Sequence, residues 1–169
     1  MKFQIFTAAL YASLALASAI PQPPVGGVSA LQARGVDIDN KPEEDWVCPG
    51  KDGKTVTYKK NEINAAITKG VELAKDGKQV SNGNDNPFPS PIGTPSSLPG
   101  IPDKYKDAKN VQHFPMKNGK GAFNGQRPAK PERVMYLHSG DSDDAEFIGL
   151  WTHEGAAKGQ FLQCREKDD

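Results

Sequence analysis

Three residues in the last third of the chain have side chains that suit a phosphodiester: Arg133, His153 and Phe161. Arg133 begins a short apolar segment, His153 ends a second one, and Phe161 lies in a third. If these segments are antiparallel strands of one sheet, side-chain alternation allows all three residues to point to the same face. A guanidinium binds phosphate oxygens, an imidazole exchanges protons near neutral pH, and an aromatic ring stacks on a nucleotide. The three residues therefore favour RNA cleavage or RNA binding as the function.

The elements that must position these side chains are short strands. Four segments have strand composition and are bounded by turn-forming residues: 111–116, 133–137, 145–153 and 160–164. Alternation predicts that one face of the sheet carries a polar and aromatic set, made of His113, Arg133, Phe147, Trp151, His153 and Phe161. The opposite face then carries an apolar set, made of Phe114, Met116, Val134, Tyr136, Ile148 and Leu150. The apolar face is the one that a helix can cover.

A single amphipathic helix is available to cover that face. Apolar residues recur at helical spacing over residues 60–75, and the other side of this helix is charged. A short strand over residues 55–58 precedes it. One helix followed by a run of strands predicts the α+β class, with the helix packed on a twisted antiparallel sheet of four to five strands.

A Pro-rich segment separates the helix from the strands. Residues 81–100 hold five prolines among Ser, Gly and Asn. Proline has no backbone N–H and cannot continue a helix or a central strand. This segment is therefore predicted to be a long surface insertion in the domain.

The beginning of the chain has the features of a secretory leader. Residues 1–19 combine an early lysine, an apolar run and a small-residue cleavage site, as signal peptides do. Residues 20–45 are rich in Pro, Gly and acidic residues and are predicted to be a propeptide or flexible leader. The folded domain is then expected over residues 46–165, with a tail over 166–169. The predicted location is extracellular. Outside residues 1–19, no segment of the sequence is apolar enough to span a membrane.

The chain has two cysteines, Cys48 and Cys164, one near each end of the predicted domain. In an oxidising compartment they are expected to form a disulfide, since no other intramolecular pairing exists. These two cysteines and three scattered histidines show no metal-ligand spacing, so neither a metal nor a cofactor is expected.

The charges are unevenly distributed although the net charge is zero. Basic residues outnumber acidic ones over residues 101–133, and the reverse holds over 137–169. A basic middle segment suits a polyanion such as RNA, and a solvated surface loop is the alternative.

Several motifs occur in an order and spacing that resemble the small guanyl-specific fungal ribonucleases and their ribotoxin relatives. They are residues 46–48 (WVC), 101–105 (IPDKY), 113–115 (HFP), 132–136 (ERVMY), 151–156 (WTHEGA) and 161–164 (FLQC). The resemblance covers nearly all of residues 46–164 apart from the Pro-rich segment. It implies one helix across an antiparallel sheet and metal-free transphosphorylation on the concave face.

The resemblance also implies residue roles. His153 matches the acid that protonates the leaving oxygen, Arg133 matches the arginine that stabilises charge on phosphorus, and Phe161 matches the ring against the phosphate. His113 occupies the place of the glutamate base, before an aromatic–proline pair, and Asp103 occupies the place of a histidine. In one hypothesis imidazole and carboxylate have exchanged places, so that His113 is the base and Asp103 orients it. In the other, catalysis is lost and the face only binds, as in ribonuclease-like secreted effectors.

Two further aromatic residues are candidates for stacking on RNA bases. Tyr105 lies in a loop where the family grips guanine, although the residues that follow it differ from the family's asparagines and glutamate. Trp151 precedes His153 on the same predicted face, and packing is the alternative role for it.

The sequence thus predicts a monomeric, secreted protein acting on single-stranded RNA, as an endoribonuclease or as an RNA-binding pseudo-ribonuclease. The alternatives are an effector that binds a host protein and a disulfide-linked binding module with no connection to RNA.

Overall fold

The computed structural model describes residues 35–81, 86–117, 119, 121–125 and 129–168. Its strands are β1 (Asp37–Asp39), β2 (Trp46–Pro49), β3 (Thr55–Tyr58), β4 (Ser90–Pro91), β5 (Val111–Pro115), β6 (Glu132–His138), β7 (Asp144–Thr152), β8 (Leu162–Gln163) and β9 (Arg165–Glu166), with one α-helix, α1 (Lys60–Lys75), between β3 and β4. The predicted signal peptide over residues 1–19 and the leader up to residue 34 lie outside the described residues.

Helix α1 has the bounds that its periodicity predicted. It begins where the Lys59 backbone N–H donates to the Glu62 carboxylate at 2.9 Å, which satisfies one of the free donors of the first turn. Its buried face consists of Ile63, Ala66, Ile67, Gly70, Val71 and Leu73. This face packs against β5, β6 and β7.

The strands form two sheets. The larger one has the order β1-β7-β6-β5-β4, and β8 pairs with the last two residues of β7. The smaller one has the order β3-β2-β9. All pairs are antiparallel except β1 with β7, which is parallel. The α+β class is therefore confirmed, whereas the single antiparallel sheet of four to five strands is replaced by a mixed six-stranded sheet and a second small sheet.

The disulfide between Cys48 and Cys164 is present, as predicted. Cys48 lies in β2, and Cys164 lies between β8 and β9. The bond therefore links β2 of the smaller sheet to the residue that directly follows β8 of the larger sheet.

The folded part begins earlier than residue 46. Strand β1 pairs with β7 from Asp37 to Asp39, and the Ile38 side chain is buried in the core. The predicted boundary missed this strand because an edge strand of three residues carries almost no alternation signal. At the other end, β9 extends one residue into the predicted tail and pairs with β2.

The Pro-rich segment is part of the fold. Ser90 and Pro91 form edge strand β4 against β5, and Phe88 and Leu98 are buried. Proline is tolerated there because only one side of an edge strand takes part in the ladder. Part of the predicted surface insertion therefore packs into the fold, while most of residues 86–100 remain exposed.

Apolar side chains pack on both faces of the larger sheet. The helix-side cluster includes Ile63, Ile67, Val71, Phe114, Met116, Val134, Tyr136, Phe147 and Leu150. The opposite cluster includes Leu98, Ile101, Tyr105, Val111, Met135, Ile148 and Trp151.

Phe147 and Ile148 lie on the faces opposite to those predicted. Met135 pairs with Gly149 but Tyr136 pairs with Phe147, so Ile148 is an extra residue in β7. Such a bulge reverses the alternation on one side of it. Gly149 is needed at this place because a Cβ there would lie 2.8 Å from the ring of Trp151.

Candidate active site

The candidate site lies on the sheet face that α1 does not cover. Arg133 on β6 is directly opposite Trp151 on β7, and His113 on β5 is directly opposite Met135. Directly opposite residues of antiparallel strands share a face, as do residues two apart on one strand. His113, Arg133 and His153 therefore share the face on which Trp151 and Met135 pack.

Arg133 is held rigidly at the centre of this face. Its side chain is buried, and its Nη1 donates to the backbone carbonyls of Lys130 and Glu132. The guanidinium carbon lies 5.0 Å from the centroid of the Phe88 ring, within cation–π distance. A preorganised cation of this kind stabilises negative charge without having to move.

His153 and Phe161 form a stacked pair. Their ring centroids are 3.9 Å apart with an interplanar angle of 30°. The Nδ1 atom of His153 lies 2.7 Å from the Gln160 carbonyl oxygen, which can only accept, so Nδ1 carries a proton. This tautomer leaves Nε2 as the atom that exchanges a proton with a substrate. Burial, opposed by the Gln160 carbonyl and assisted by the charge of Arg133, lowers the pKa of His153 below its usual 6.5.

His113 forms a close pair with Ser90 across the β4–β5 ladder. The two residues are direct partners in register, and the Ser90 Oγ lies 2.6 Å from the His113 Nε2. The His113 ring also packs edge-on against Phe88 at 5.3 Å. Burial, together with the charges of Arg133 and His153, lowers the pKa of His113 to about 3. The imidazole is therefore neutral over the physiological pH range and is a weak base.

Asp103 does not orient His113, contrary to the exchange hypothesis. Its side chain is 94% exposed and pairs with Lys106 at 2.6 Å, and its pKa is lowered by that lysine. The partner of His113 is Ser90 instead. Ser90 lies in the Pro-rich segment, where the sequence carried no signal for a site residue.

Tyr105 and Trp151 do not present their rings to RNA bases, which corrects the predicted stacking. Both are buried in the cluster under this face. The Tyr105 hydroxyl donates to the Glu146 carboxylate at 2.6 Å, and the Trp151 Nε1 donates to the Pro99 carbonyl at 2.9 Å. Their role is to hold the Pro-rich segment and the loop after it against the sheet.

Phe88 and Ser90 are therefore the site residues that the sequence interpretation missed. Of the predicted residues, the structure brings His113, Arg133, His153 and Phe161 together with them.

A groove adjoins the stacked pair. It has a volume of about 690 Å³ and is lined by Ile92, Gly93, Thr94, Ser97, Leu98, Pro99, Gly159, Gln160, Phe161 and Leu162. Another cavity, of about 270 Å³, opens near the far end of β6 and β7. Its lining includes the carboxylates of Asp39, Asp144 and Glu146, which would repel a phosphate.

The described residues contain no cluster of three or more His, Cys, Asp or Glu side chains arranged to hold a metal ion. Within the same ranges, no helix has both the length and the apolar character needed to cross a membrane.

The chain is similar to guanyl-specific ribonuclease U1 from Ustilago sphaerogena, with 30% identity over 107 residues. The match spans 63% of this chain and 87% of the relative. No protein-family model matches the chain.

Proposed function

The chain belongs, as a distant member, to the family of guanyl-specific ribonuclease U1, and on this basis we propose that it binds and slowly cleaves single-stranded RNA without a metal. The observation that carries the proposal is that a rigid guanidinium, two imidazoles and a stacked aromatic ring lie on one face of the larger sheet. These groups are the ones that transphosphorylation requires.

Each group has a role that its geometry supports. Arg133 holds the phosphate and the charge that builds on it, because its guanidinium is fixed by two backbone carbonyls. Protonated His153 donates from Nε2 to the leaving oxygen, and Phe161 packs beside it. His113, acting with Ser90, accepts the proton of the attacking ribose hydroxyl.

Slow cleavage follows from the basicity of His113. General-base catalysis weakens as the pKa of the base falls below the working pH. A pKa of about 3 makes this imidazole a much weaker base than an ordinary histidine. The same observation favours a second candidate function, RNA binding with no cleavage at all.

The test is incubation of single-stranded RNA with the purified protein in EDTA. We expect products that end in a cyclic phosphate, and at least about 100-fold slower cleavage by His153→Ala and Arg133→Ala. The matched control is Arg165→Ala. It removes an exposed cation of the smaller sheet that pairs with Asp168, and this variant should cleave RNA at the wild-type rate. Unfolding curves for every variant separate loss of chemistry from loss of fold.

The outcomes distinguish the candidates. RNA binding whose affinity falls steeply with salt, without cleavage, would favour the pseudo-ribonuclease. A protein that neither binds nor cleaves RNA would contradict the proposal and favour an effector that binds a host protein.

Secretion is part of the proposal and rests on residues 1–19 together with the disulfide, which suits an oxidising compartment. Sequencing the amino terminus of protein collected from culture medium tests it. We expect the mature chain to begin at Ile20, or at Gly35 if the leader is trimmed after Arg34. Full-length protein retained in cells would contradict it.

A further inference from the structure

The groove beside the stacked pair is built by two segments that face each other. Residues 92–99 of the Pro-rich segment form one wall, and residues 159–162 form the other. Leu98 is buried in the cluster with Trp151, so the first wall is anchored to the sheet. We call this space the base groove.

The base groove is continuous with the candidate active site. Phe161 lines the groove and also stacks on His153, and Gln160 lines it while its carbonyl accepts from the same histidine. The groove therefore lies beside the residues to which the proposed function assigns the phosphate. The volume of about 690 Å³ lies within the range of small-molecule sites.

The lining of the base groove carries no charged side chain. Its large apolar groups are Ile92, Leu98, Pro99, Phe161 and Leu162, and Leu162 is 37% exposed. The polar side chains are those of Thr94, Ser97 and Gln160, and the Ser97 hydroxyl already donates to the Thr94 carbonyl at 2.7 Å. The groove thus offers the Phe161 ring and aliphatic groups for packing against a base, and few polar side chains for reading a base edge.

This chemistry bears on which base is preferred. Guanine presents adjacent N–H donors that a carboxylate accepts in a bidentate, charge-assisted pair. The groove has no carboxylate, whereas stacking is available to every base because each has a π face. Large discrimination between bases requires buried polar groups that are left unpaired by the wrong base.

On the basis of the proposed function, we propose that the base groove holds the nucleobase by stacking and accepts all four bases. The protein then lacks the guanine specificity for which ribonuclease U1 is named. Thr94 is the position at which a carboxylate would restore a preference, because it is exposed and lines the groove.

The test uses four RNA pentamers that differ only in the central base, flanked by uridines. Fluorescence anisotropy with the full secreted chain measures each dissociation constant, and cleavage of the same oligonucleotides is followed in parallel. We expect the four constants to lie within about tenfold of each other. A preference for guanine greater than tenfold would overturn the inference while leaving the proposed function intact.

Two variants sharpen the result. Thr94→Glu should raise the preference for guanine over adenine by about tenfold, and the isosteric neutral control Thr94→Gln should not. Phe161→Ala should weaken the binding of all four pentamers alike, by at least about fivefold. Absence of binding to any pentamer would overturn the proposed function, and this inference with it.

Discussion

At the level of single residues, burial and the charge of Arg133 together lower the pKa of both histidines in the candidate site. Burial is the larger cause for each ring, and the Arg133 guanidinium acts in the same direction. The pKa of His113 is lowered to about 3, with the charge of His153 as a further cause, whereas the hydrogen bond to the Gln160 carbonyl opposes the lowering at His153. His113 therefore stays neutral down to about pH 3, and the pKa of His153 lies below its usual 6.5.

This separation predicts an acidic optimum for cleavage. The proposed reaction needs neutral His113 and protonated His153, so its competent form exists between about pH 3 and the pKa of His153, which is below 6.5. Since the protonated fraction falls tenfold per pH unit above that pKa, kcat/KM at pH 7.5 should be at least about tenfold lower than at pH 5. A pH profile on a short RNA substrate checks this. A rate that rises from pH 5 to pH 7.5 would contradict the assignment of His153 as the acid.

His113 should also make stability depend on pH. Between about pH 3 and 6.5 an unfolded histidine binds a proton that the folded ring excludes, so the free energy of unfolding falls as the pH falls through this range. The contribution is on the order of 5 kcal/mol over the whole interval.

The measurement is urea unfolding at several pH values for the wild type and for His113→Gln. Carboxylate titrations affect both proteins equally, so the difference between the two curves isolates the histidine. The wild type should lose stability more steeply toward pH 3.5 than the variant. Parallel curves would show that the His113 ring titrates normally in the folded protein.

The sequence predicted the placement of some candidate residues well and of others poorly, for a physical reason. His113, Arg133 and His153 lie on or next to long strands of the larger sheet, where alternation determines the face. Tyr105 and Asp103 lie in a turn whose position depends on contacts with Glu146 and Lys106, which no periodicity encodes.

At the level of elements, the packing of α1 on the sheet depends on a close approach at Gly70. A Cβ on this residue would lie 2.1 Å from the Tyr136 hydroxyl oxygen and 2.9 Å from the adjacent ring carbon. Glycine therefore allows the helix to lie directly on β6, although glycine within a helix costs about 1 kcal/mol relative to alanine.

Gly70→Ala should consequently destabilise the protein, despite the better helix propensity of alanine. The clash with Tyr136 forces the helix from the sheet, and overpacking of this kind typically costs about 1–3 kcal/mol. Chemical denaturation measures the change. The control is Gly35→Ala, where a Cβ meets no atom within 4 Å and stability should be unchanged.

Tyr136→Phe provides the second half of a double-mutant cycle. The Tyr136 hydroxyl is buried and lacks a hydrogen-bond partner among the described residues, so its removal alone should cost little. In the Gly70→Ala background it should restore part of the lost stability. No restoration would mean that the alanine side chain is accommodated without contact with this ring.

Elements defined by local signals were predictable, and those defined by distant partners were not. Helix α1 and strand β3 have the predicted bounds, because an amphipathic period and a run of β-branched residues are local properties. Strands β1 and β4 exist only because β7 and β5 offer free edges, and the bulge at Ile148 is needed to fit β7 against β6. Composition alone could not show any of the three.

At the level of the whole molecule, one covalent bond links the two sheets and the segment that carries Phe161. Cys48 and Cys164 are 116 residues apart in sequence. Strand β8 has only two residues, so the disulfide and the Cys164 N–H, which donates to the Leu150 carbonyl at 2.8 Å, hold this part of the chain in place. The position of Phe161 beside His153 thus depends on the disulfide.

Replacing both cysteines by alanine should therefore have two separable effects. Removal of a cross-link that closes a loop of this length should lower the free energy of unfolding by about 4–5 kcal/mol, because the unfolded chain regains conformational freedom. Under conditions in which the variant is still folded, its affinity for RNA should also fall, since Phe161 is less firmly placed. Guanidinium denaturation measures the first effect, and anisotropy with a fluorescent RNA measures the second. Phe161→Ala in the cysteine-free background is the control: if the disulfide acts through Phe161, this substitution should weaken binding less there than in the wild type.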